Sequence, residues 1–539
     1  MIPFNTTIDQ QSEGFVKNRA EMEALCLQRK DLLQRTIDKS ESKRPQFEKR
    51  GQLTPRARLA ALLDPGAPFV ELGAMGGFKM DGKGPDQSVP GGGVITGIGF
   101  IKGVRCMVIV DDAAINAGAF TAAGGTKRLR AHDIALAQKL PLVQCVESAG
   151  GDLLNYTVEG FVIGGRLFAN LSRLSAAGCP VITILHGSAT AGGAYVAGLS
   201  DYIIGVTGKG RAFLAGPPLL KAATGEEATE EELGGVTMHA EISGLVDYQA
   251  PDDWSGLQMA RHVVDGLDWP KHHQPAAHPS VDPVHDAEEL LGAVPVDFKE
   301  AYDVREVITR IADGPSFEDF KPDYGPSIVT VRARIHGRSV AILGSNGPID
   351  NPAAHKATQF IQLADQAGLP LVFLQNVTGY LVGTAHEQAG MVKNGSKMIQ
   401  AMTNARVPRI TIQIGAGYGA GAYGMAGQGF DPDFMFTWPT ASTGVMGGAQ
   451  AAKTMSIVMM AAAKRKGFEP DPEMVKAQEA QITKHFDDQA DAFTTSGKGL
   501  DDGMIDPRDT RDLLAFLLET LAESDARTLR PNAFGVARP

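Results

Sequence analysis

Three short apolar runs, Cys106–Val110, Leu142–Val146 and Val181–Leu185, punctuate the first half of the chain. They are too short for core helices and rich in Val and Ile, a pattern that predicts strands buried on both faces. Between them, Leu129–Lys139 and Gly165–Ala177 carry apolar residues at helical spacing. Buried strands alternating with helices predict βαβ units and a largely parallel sheet, an α/β fold. Upstream, the charged residues 14–50 contain Leu25, Leu32 and Leu33 and read as one long amphipathic helix. The stretch Asp512–Glu523 reads as a terminal helix serving packing or subunit contact.

The second half repeats the first. Leu140-Pro141-Leu142-Val143 recurs as Leu369-Pro370-Leu371-Val372, an offset of 229. Pro180-Val181-Ile182-Thr183-Ile184 recurs as Pro408-Arg409-Ile410-Thr411-Ile412, and Gly193-Ala194-Tyr195 as Gly421-Ala422-Tyr423, both at 228. Three matches in the same order imply two copies of one fold. The Pro- and His-rich stretch Trp269–Pro295 lacks periodicity. It sets the expected division: an N-terminal domain over residues 1–270, a linker over 271–295 and a C-terminal domain over 296–539. His272, His273 and His278 in this stretch read as part of a solvated linker; a metal site there is the minor alternative.

At 539 residues the chain exceeds what one core accommodates, which agrees with two domains. A net charge of −11 argues against a nucleic-acid or anionic-membrane partner. No apolar run approaches the roughly 20 residues that span a bilayer, and no signal-peptide pattern opens the chain. Cys26, Cys106, Cys145 and Cys179 form no CxxC pair, so neither a zinc ribbon nor a disulfide framework is expected. The expected setting is cytoplasmic with reduced thiols, and no metal is expected on this chain.

Chemistry is expected where the glycines cluster. In each half a strand ends in a run of small residues, His186-Gly-Ser-Ala-Thr-Ala-Gly-Gly-Ala-Tyr195 and Gly415-Ala-Gly-Tyr-Gly-Ala-Gly-Ala-Tyr-Gly-Met425. Bare backbone leading into a helix presents N–H groups suited to an oxyanion. A tight turn that merely permits close helix packing also selects Gly and Ala. Neither run contains Asp or Glu, nor is there a GxSxG elbow or a P-loop. Gly91-Gly92-Gly93 reads as a loop into the strand at Val94-Ile95. Backbone donors without a local acid or base suit the enolate of a thioester.

Five segments carry a resemblance to a known family: Arg50-Gly-Gln-Leu-Thr-Pro-Arg-Ala-Arg-Leu59, Pro90-Gly-Gly-Gly-Val-Ile-Thr-Gly-Ile-Gly99, Leu214-Ala-Gly-Pro-Pro-Leu-Leu-Lys-Ala-Ala-Thr-Gly-Glu-Glu227, Leu374-Gln-Asn-Val-Thr-Gly379 and Val445-Met-Gly-Gly-Ala-Gln450. In this order, across roughly residues 15–530, the chain resembles the carboxyltransferase (β) subunits of biotin-dependent acyl-CoA carboxylases. The resemblance implies two tandem crotonase-like (ClpP/crotonase) domains related by pseudo-symmetry, acyl-CoA on the first and carboxybiotin on the second. It implies active sites between the first domain of one subunit and the second domain of another. Gly192, Gly193 and Ala194 would then form one oxyanion hole, and Gly421 and Ala422 the other. One would steady the acyl enolate and the other the biotin ureido oxygen, with the biotin anion as base. The chain carries neither an ATP-grasp carboxylase nor an Ala-Met-Lys-Met biotinylation site. Biotin is therefore expected on an α subunit bearing biotin carboxylase and biotin carrier. Self-association to dimers and a β6 core within an α6β6 complex is expected as well.

The same resemblance suggests a substrate. Gly424, after Tyr423, stands where acetyl- and propionyl-CoA carboxylases carry a bulkier residue, which points to the methylcrotonyl-CoA and geranyl-CoA branch. In Val162-Ile-Gly-Gly-Arg166, Gly164 stands where methylcrotonyl enzymes usually carry an aromatic ring. Its loss opens room for a longer branched acyl chain, unless Phe161 or Phe168 refills it. Glu147-Ser-Ala-Gly-Gly151 departs from the usual Asp-Ser-Gly-Gly and places Ala149 and Gly150 at the pocket wall. Lys127 and Arg130, with Arg128, are candidate CoA-phosphate ligands or a solvated helix start. Lys221 is a candidate for the CoA tunnel, and His186 reads as a core histidine. Alternatives kept open are an acetyl- or propionyl-CoA carboxylase β subunit, the carboxyltransferase of a decarboxylase pump, a crotonase-like hydratase or isomerase, and a scaffold subunit.

Overall fold

The computed structural model describes residues 4–152, 155, 157–271, 274–314, 316–468 and 470–536. His272 and His273 lie outside the described residues, so the expected histidine cluster is described only at His278. The chain forms two compact units. One comprises Asp31–Gln274, Gly497–Gly499 and Glu519–Pro539; the other comprises the chain up to Lys30, Pro275–Ser496 and Leu500–Leu518.

In the first unit the sheet runs Val70–Leu72, Val94–Ile101, Val104–Asp111, Leu142–Ser148, Val181–Thr190, Tyr202–Val206, Tyr248–Ala250, and Arg211–Phe213 pairs beside Val181–Thr190. Pairing is antiparallel across the first three strands and parallel beyond them. The strands Val104–Asp111 and Leu142–Ser148 are buried along their whole length, as their unbroken apolar character predicts. Helices Ala122–Ala137 and Val158–Ala177 follow the pattern foreseen, each starting about seven residues earlier. Thr121 and Thr157 cap them by accepting the amides of Gly124 and Gly160. Gly91, Gly92 and Gly93 all take left-handed φ and turn the chain into Val94–Ile101.

The second unit repeats this order. Its sheet runs Gly503–Met504, Phe434–Thr437, Arg409–Tyr418, Leu371–Val377, Arg338–Ser345, Ile328–Ile335, Glu318–Asp319, with Ser442–Gly444 beside Arg409–Tyr418. The duplication reaches irregular details. A register shift falls between Val146 and Ser148 in one unit and between Gln375 and Val377 in the other. Phe120 bridges Gly151 in the first, and Ile349 bridges Tyr380 in the second, both at the offset of 229.

Two local expectations change. The N-terminal helix spans Glu13–Glu41 and stops short of residue 50, and a second helix, Arg44–Lys49, begins with Pro45 in its first turn. Proline has no N–H for a continuing helix and suits the start of a new one. Within the stretch read as linker, Leu290–Ala293 is a buried helical turn of the second unit. It is held there by the apolar Leu290 and Leu291 and by Arg310, which pairs with Glu289 at 2.6 Å and Glu306 at 2.8 Å. No described helix is long and apolar enough to cross a membrane. All four cysteines are free and buried.

Candidate active site

Each unit carries one sharp turn from strand to helix at its small-residue run. In the first unit, Val181–Thr190 passes through Ala191 into the helix Gly192–Gly198. Ala191 has φ 52°, a left-handed conformation that costs a non-glycine residue about 1–3 kcal/mol. In the second, Arg409–Tyr418 passes into Gly419–Gly424, and Gly419, 228 residues after Ala191, has φ 55°. The same kink is thus kept in both copies, once at the cost of strain.

Gly192 and Gly193 precede the first bond formed inside their helix, which runs from the amide of Ala194 to the carbonyl of Ala191 at 3.1 Å. Their N–H groups are therefore among those a helix start leaves without a helical partner. The amide of Ala194, expected as a third donor, makes this bond inside the turn. Ala420 and Gly421 hold the corresponding places in the second unit. There the buried amide of Gln375 donates to the carbonyl of Ala422 at 3.1 Å, as does the Gly427 N–H at 3.0 Å. These contacts tie down the carbonyl side of the turn.

The walls combine backbone, small side chains and rings: a Cβ on Gly192 would lie 3.4 Å from both Phe120 and Phe168. A Cβ on Gly193 would lie 3.5 Å from the Ser148 Cβ and 3.6 Å from that of Ala189. The Ser148 hydroxyl donates to the Gly118 carbonyl at 2.7 Å and accepts the Gly150 amide at 3.1 Å. Ala149 donates to Ala117 at 3.0 Å. Ala149 and Gly150 thus shape the wall beside Gly193 with their own amides committed. A Cβ on Gly421 would lie 2.8 Å from both the Gly379 Cα and the Val377 Cγ2. Tyr195 and Tyr423, at matching positions, are half exposed and lean on Phe168 (centroids 5.9 Å apart) and Phe430 (5.3 Å) respectively.

Beneath the first turn lies a buried charge network. Arg58, with no solvent exposure, pairs with Glu147 at 2.6 Å and Asp253 at 3.0 Å. His186 donates from Nδ1 to the Asp253 carboxylate at 3.0 Å, and Gln52 donates to the His186 carbonyl at 2.6 Å. Burial and the neighbouring Arg58 push the His186 pKa down. Burial works against an ionised Asp253, but the His186 hydrogen bond and Arg58 outweigh it and hold its pKa at about 2. His186 is a buried core histidine whose Nδ1 is paired and whose Nε2 makes no hydrogen bond. Glu147, the carboxylate nearest Gly193 in the strand Leu142–Ser148, is committed to Arg58 and is not available as a base.

The remaining candidates divide. Lys127 is buried, and its ammonium donates to the Gly91 carbonyl at 3.0 Å and to that of Val94 at 2.5 Å. Burial lowers its pKa to about 8. It fastens the Gly91–Gly93 turn. Arg130 is half-buried on the same helix. Lys221 is exposed on the helix Pro217–Thr224 and paired with Glu227. Gly164 lies on the open face of Val158–Ala177, where a Cβ would meet nothing within 4 Å. Phe161, 73% exposed, and Phe168 therefore leave that space open. Gly424 is buried against the Tyr380 hydroxyl. Among the described residues, no group of His, Cys, Asp or Glu is placed to hold a metal ion.

Sequence reasoning overlooked Ser148, Gly379 and Tyr380. Gly379 and Tyr380 end the quoted Leu374–Gly379 motif or follow it directly, and the 229 offset from Gly150 and Gly151 would have found both. Arg58 lay within a quoted motif, but nothing in the sequence announced its two distant carboxylates.

The carboxyl transferase domain family matches residues 46–535. The chain is 45% identical over 490 residues to a probable biotin-dependent acyl-coenzyme A carboxylase beta2 subunit of Mycobacterium tuberculosis, covering 91% of each. It is 40% identical to the mitochondrial methylcrotonoyl-CoA carboxylase beta chain of Arabidopsis thaliana, covering 98% of this chain and 91% of the relative. The crystal structure of the P. aeruginosa geranyl-CoA carboxylase beta subunit superposes with a TM-score of 0.93 at 47% identity, covering all of both chains.

Proposed function

The chain belongs to the carboxyl transferase domain family, and from that membership we infer that it is the carboxyltransferase (β) subunit of a biotin-dependent acyl-CoA carboxylase. The observation that carries the chemistry is the duplicated turn, in which a strand passes through a positive-φ residue into a helix that begins with small residues, Gly192–Gly193 in one unit and Gly419–Gly421 in the other. Amides at such a turn stabilise an oxyanion most where charge develops in the transition state. We assign the Gly192–Gly193 turn to the thioester oxygen of the acyl-CoA as it becomes an enolate. We assign the Gly421–Ala422 turn to the ureido oxygen of biotin. Carboxybiotin, carried on the partner α subunit, supplies the carboxyl group. The chain's own part is to hold the two oxygens and to exclude competing acids and bases. Among the described residues, the glutamate of the strand Leu142–Ser148, Glu147, is locked by Arg58, which argues against a hydratase or isomerase mechanism.

The reading extends to a cytoplasmic hetero-oligomer built on a β-subunit core, with no metal assigned to this chain. For substrate we propose a branched, unsaturated acyl-CoA, with geranyl-CoA favoured over 3-methylcrotonyl-CoA because of the open space over Gly164. The test is carboxylation by the complex with its biotinylated partner across acetyl-, propionyl-, 3-methylcrotonyl- and geranyl-CoA. The branched esters should be used best, and preference for acetyl- or propionyl-CoA would contradict the assignment. Replacing Gly164 with Phe should lower kcat/KM for geranyl-CoA about tenfold or more relative to 3-methylcrotonyl-CoA, as expected for steric exclusion in an apolar pocket. Equal losses on both esters would remove the pocket argument.

A further inference from the structure

We propose that Tyr380 is a positioning residue for the second turn, a wedge that fixes where the amides of Gly421 and Ala422 point. This deepens the carboxyltransferase reading and rests on it. The backbone on both sides of Tyr380 is pinned: Ile349 donates to Gly379 at 2.9 Å, and Leu381 donates to Ile349 at 2.9 Å. From that anchor the ring enters between the helices Met391–Asn404 and Gly419–Gly424. A Cβ on Gly395 would lie 3.1 Å from the Tyr380 ring. The hydroxyl reaches the Gly395 carbonyl at 3.4 Å and the Met398 sulfur at 3.7 Å. A methyl group on Gly424 would overlap the hydroxyl outright. One residue earlier, the Gly379 Cα sets the limit at Gly421. Two neighbouring residues of one loop thus hold the Gly419–Gly424 helix at two points three residues apart, on either side of Ala422.

The other copy of the fold carries different residues at these two places. The counterpart of Tyr380 is Gly151, where a Cβ would meet nothing within 4 Å, and the counterpart of Gly424 is Val196, which is buried. A large residue on the loop faces a glycine on the helix in one unit, and a glycine on the loop accompanies a valine on the helix in the other. The overlap that a methyl group on Gly424 would make with the Tyr380 hydroxyl marks the two as a size-matched pair.

A wedge acts on the transition state through geometry, so its loss should appear in kcat and leave acyl-CoA KM nearly unchanged. In the complex with the biotinylated partner, Gly424→Ala should lower kcat about tenfold or more, as small misplacements of reacting groups do, and Tyr380→Leu should lower kcat with acyl-CoA KM within about twofold. Gly424→Ala combined with Tyr380→Phe, which removes the clashing oxygen, should recover most of that loss. Tyr380→Leu, which removes the wedge without adding bulk, should depress kcat more than Tyr380→Phe does. Melting temperatures follow the pair independently of catalysis: lowered in Gly424→Ala and restored in the double variant. Wild-type kcat in Gly424→Ala, or no recovery in the double variant at an equal melting temperature, overturns the proposal. A wild-type complex that carboxylates no acyl-CoA would instead overturn the carboxyltransferase reading, and the melting temperatures would still decide the steric pairing.

Discussion

Replacing Gly421 with alanine is expected to reduce kcat for carboxyl transfer by about 100- to 1,000-fold, the loss seen when one oxyanion donor is removed. The methyl group would sit 2.8 Å from the Gly379 Cα and equally close to the Val377 Cγ2. Neither neighbour yields easily: Val377 ends a buried strand, and the Gly379 carbonyl is held by the Ile349 amide. The helix start must move instead, and its amides move with it. Alanine is a better helix former than glycine and φ is ordinary here, so the fold should persist while the chemistry fails. Gly429→Ala is the matched control, because a Cβ there meets nothing within 4 Å. Steady-state kinetics of the two variants in the assembled complex provide the check. Activity in Gly421→Ala equal to that of the control would show that this turn does not touch the reacting atoms.

The second large effect concerns stability. Arg58→Met should destabilise the unit by about 3–5 kcal/mol, because it leaves buried Asp253 without its arginine and Glu147 with only the more distant Arg50, 3.5 Å away. Glu147 and Asp253 are 7% and 2% exposed, so water cannot take over the role of Arg58. Adding Glu147→Gln to the same chain should recover part of the loss. Thermal denaturation of the three proteins measures both steps, and an unchanged melting temperature for Arg58→Met would show the pairing to be energetically idle. The network has a pH signature. The Asp253 pKa of about 2 lies below its unfolded value of about 4. The stabilisation from this group is therefore complete above about pH 4 and is lost as pH falls toward 2. The functional consequence is positional: Glu147 precedes Ser148, whose hydroxyl builds the wall beside Gly193.

Much of this was legible in the sequence because the duplication is legible. Apolar runs located the strands, and matching segments at 228 and 229 residues located the two turns and fixed the fold as two copies. Periodicity could not show which backbone amides a short helix consumes internally, so Ala194 was counted as a donor although its N–H closes the first turn. Charge pattern alone could not separate Lys127 from a surface lysine, since its ammonium is satisfied by carbonyls more than thirty residues away. The helix of residues 14–50 was drawn too long because Pro45 was read as part of a charged periodic stretch. Tyr380 escaped notice because its meaning lies in contacts with Gly395 and Gly424, which only the folded chain brings together.

The most direct test of the account is a single turnover without ATP. The partner subunit is first loaded with ¹⁴C-carboxyl on its biotin, then mixed with this chain and geranyl-CoA or 3-methylcrotonyl-CoA. Label should pass into the CoA ester with the wild-type chain and fail to do so with Gly421→Ala. Label that stays on biotin with the wild-type chain, or that transfers equally well with Gly421→Ala, would contradict carboxyl transfer at these two backbone turns.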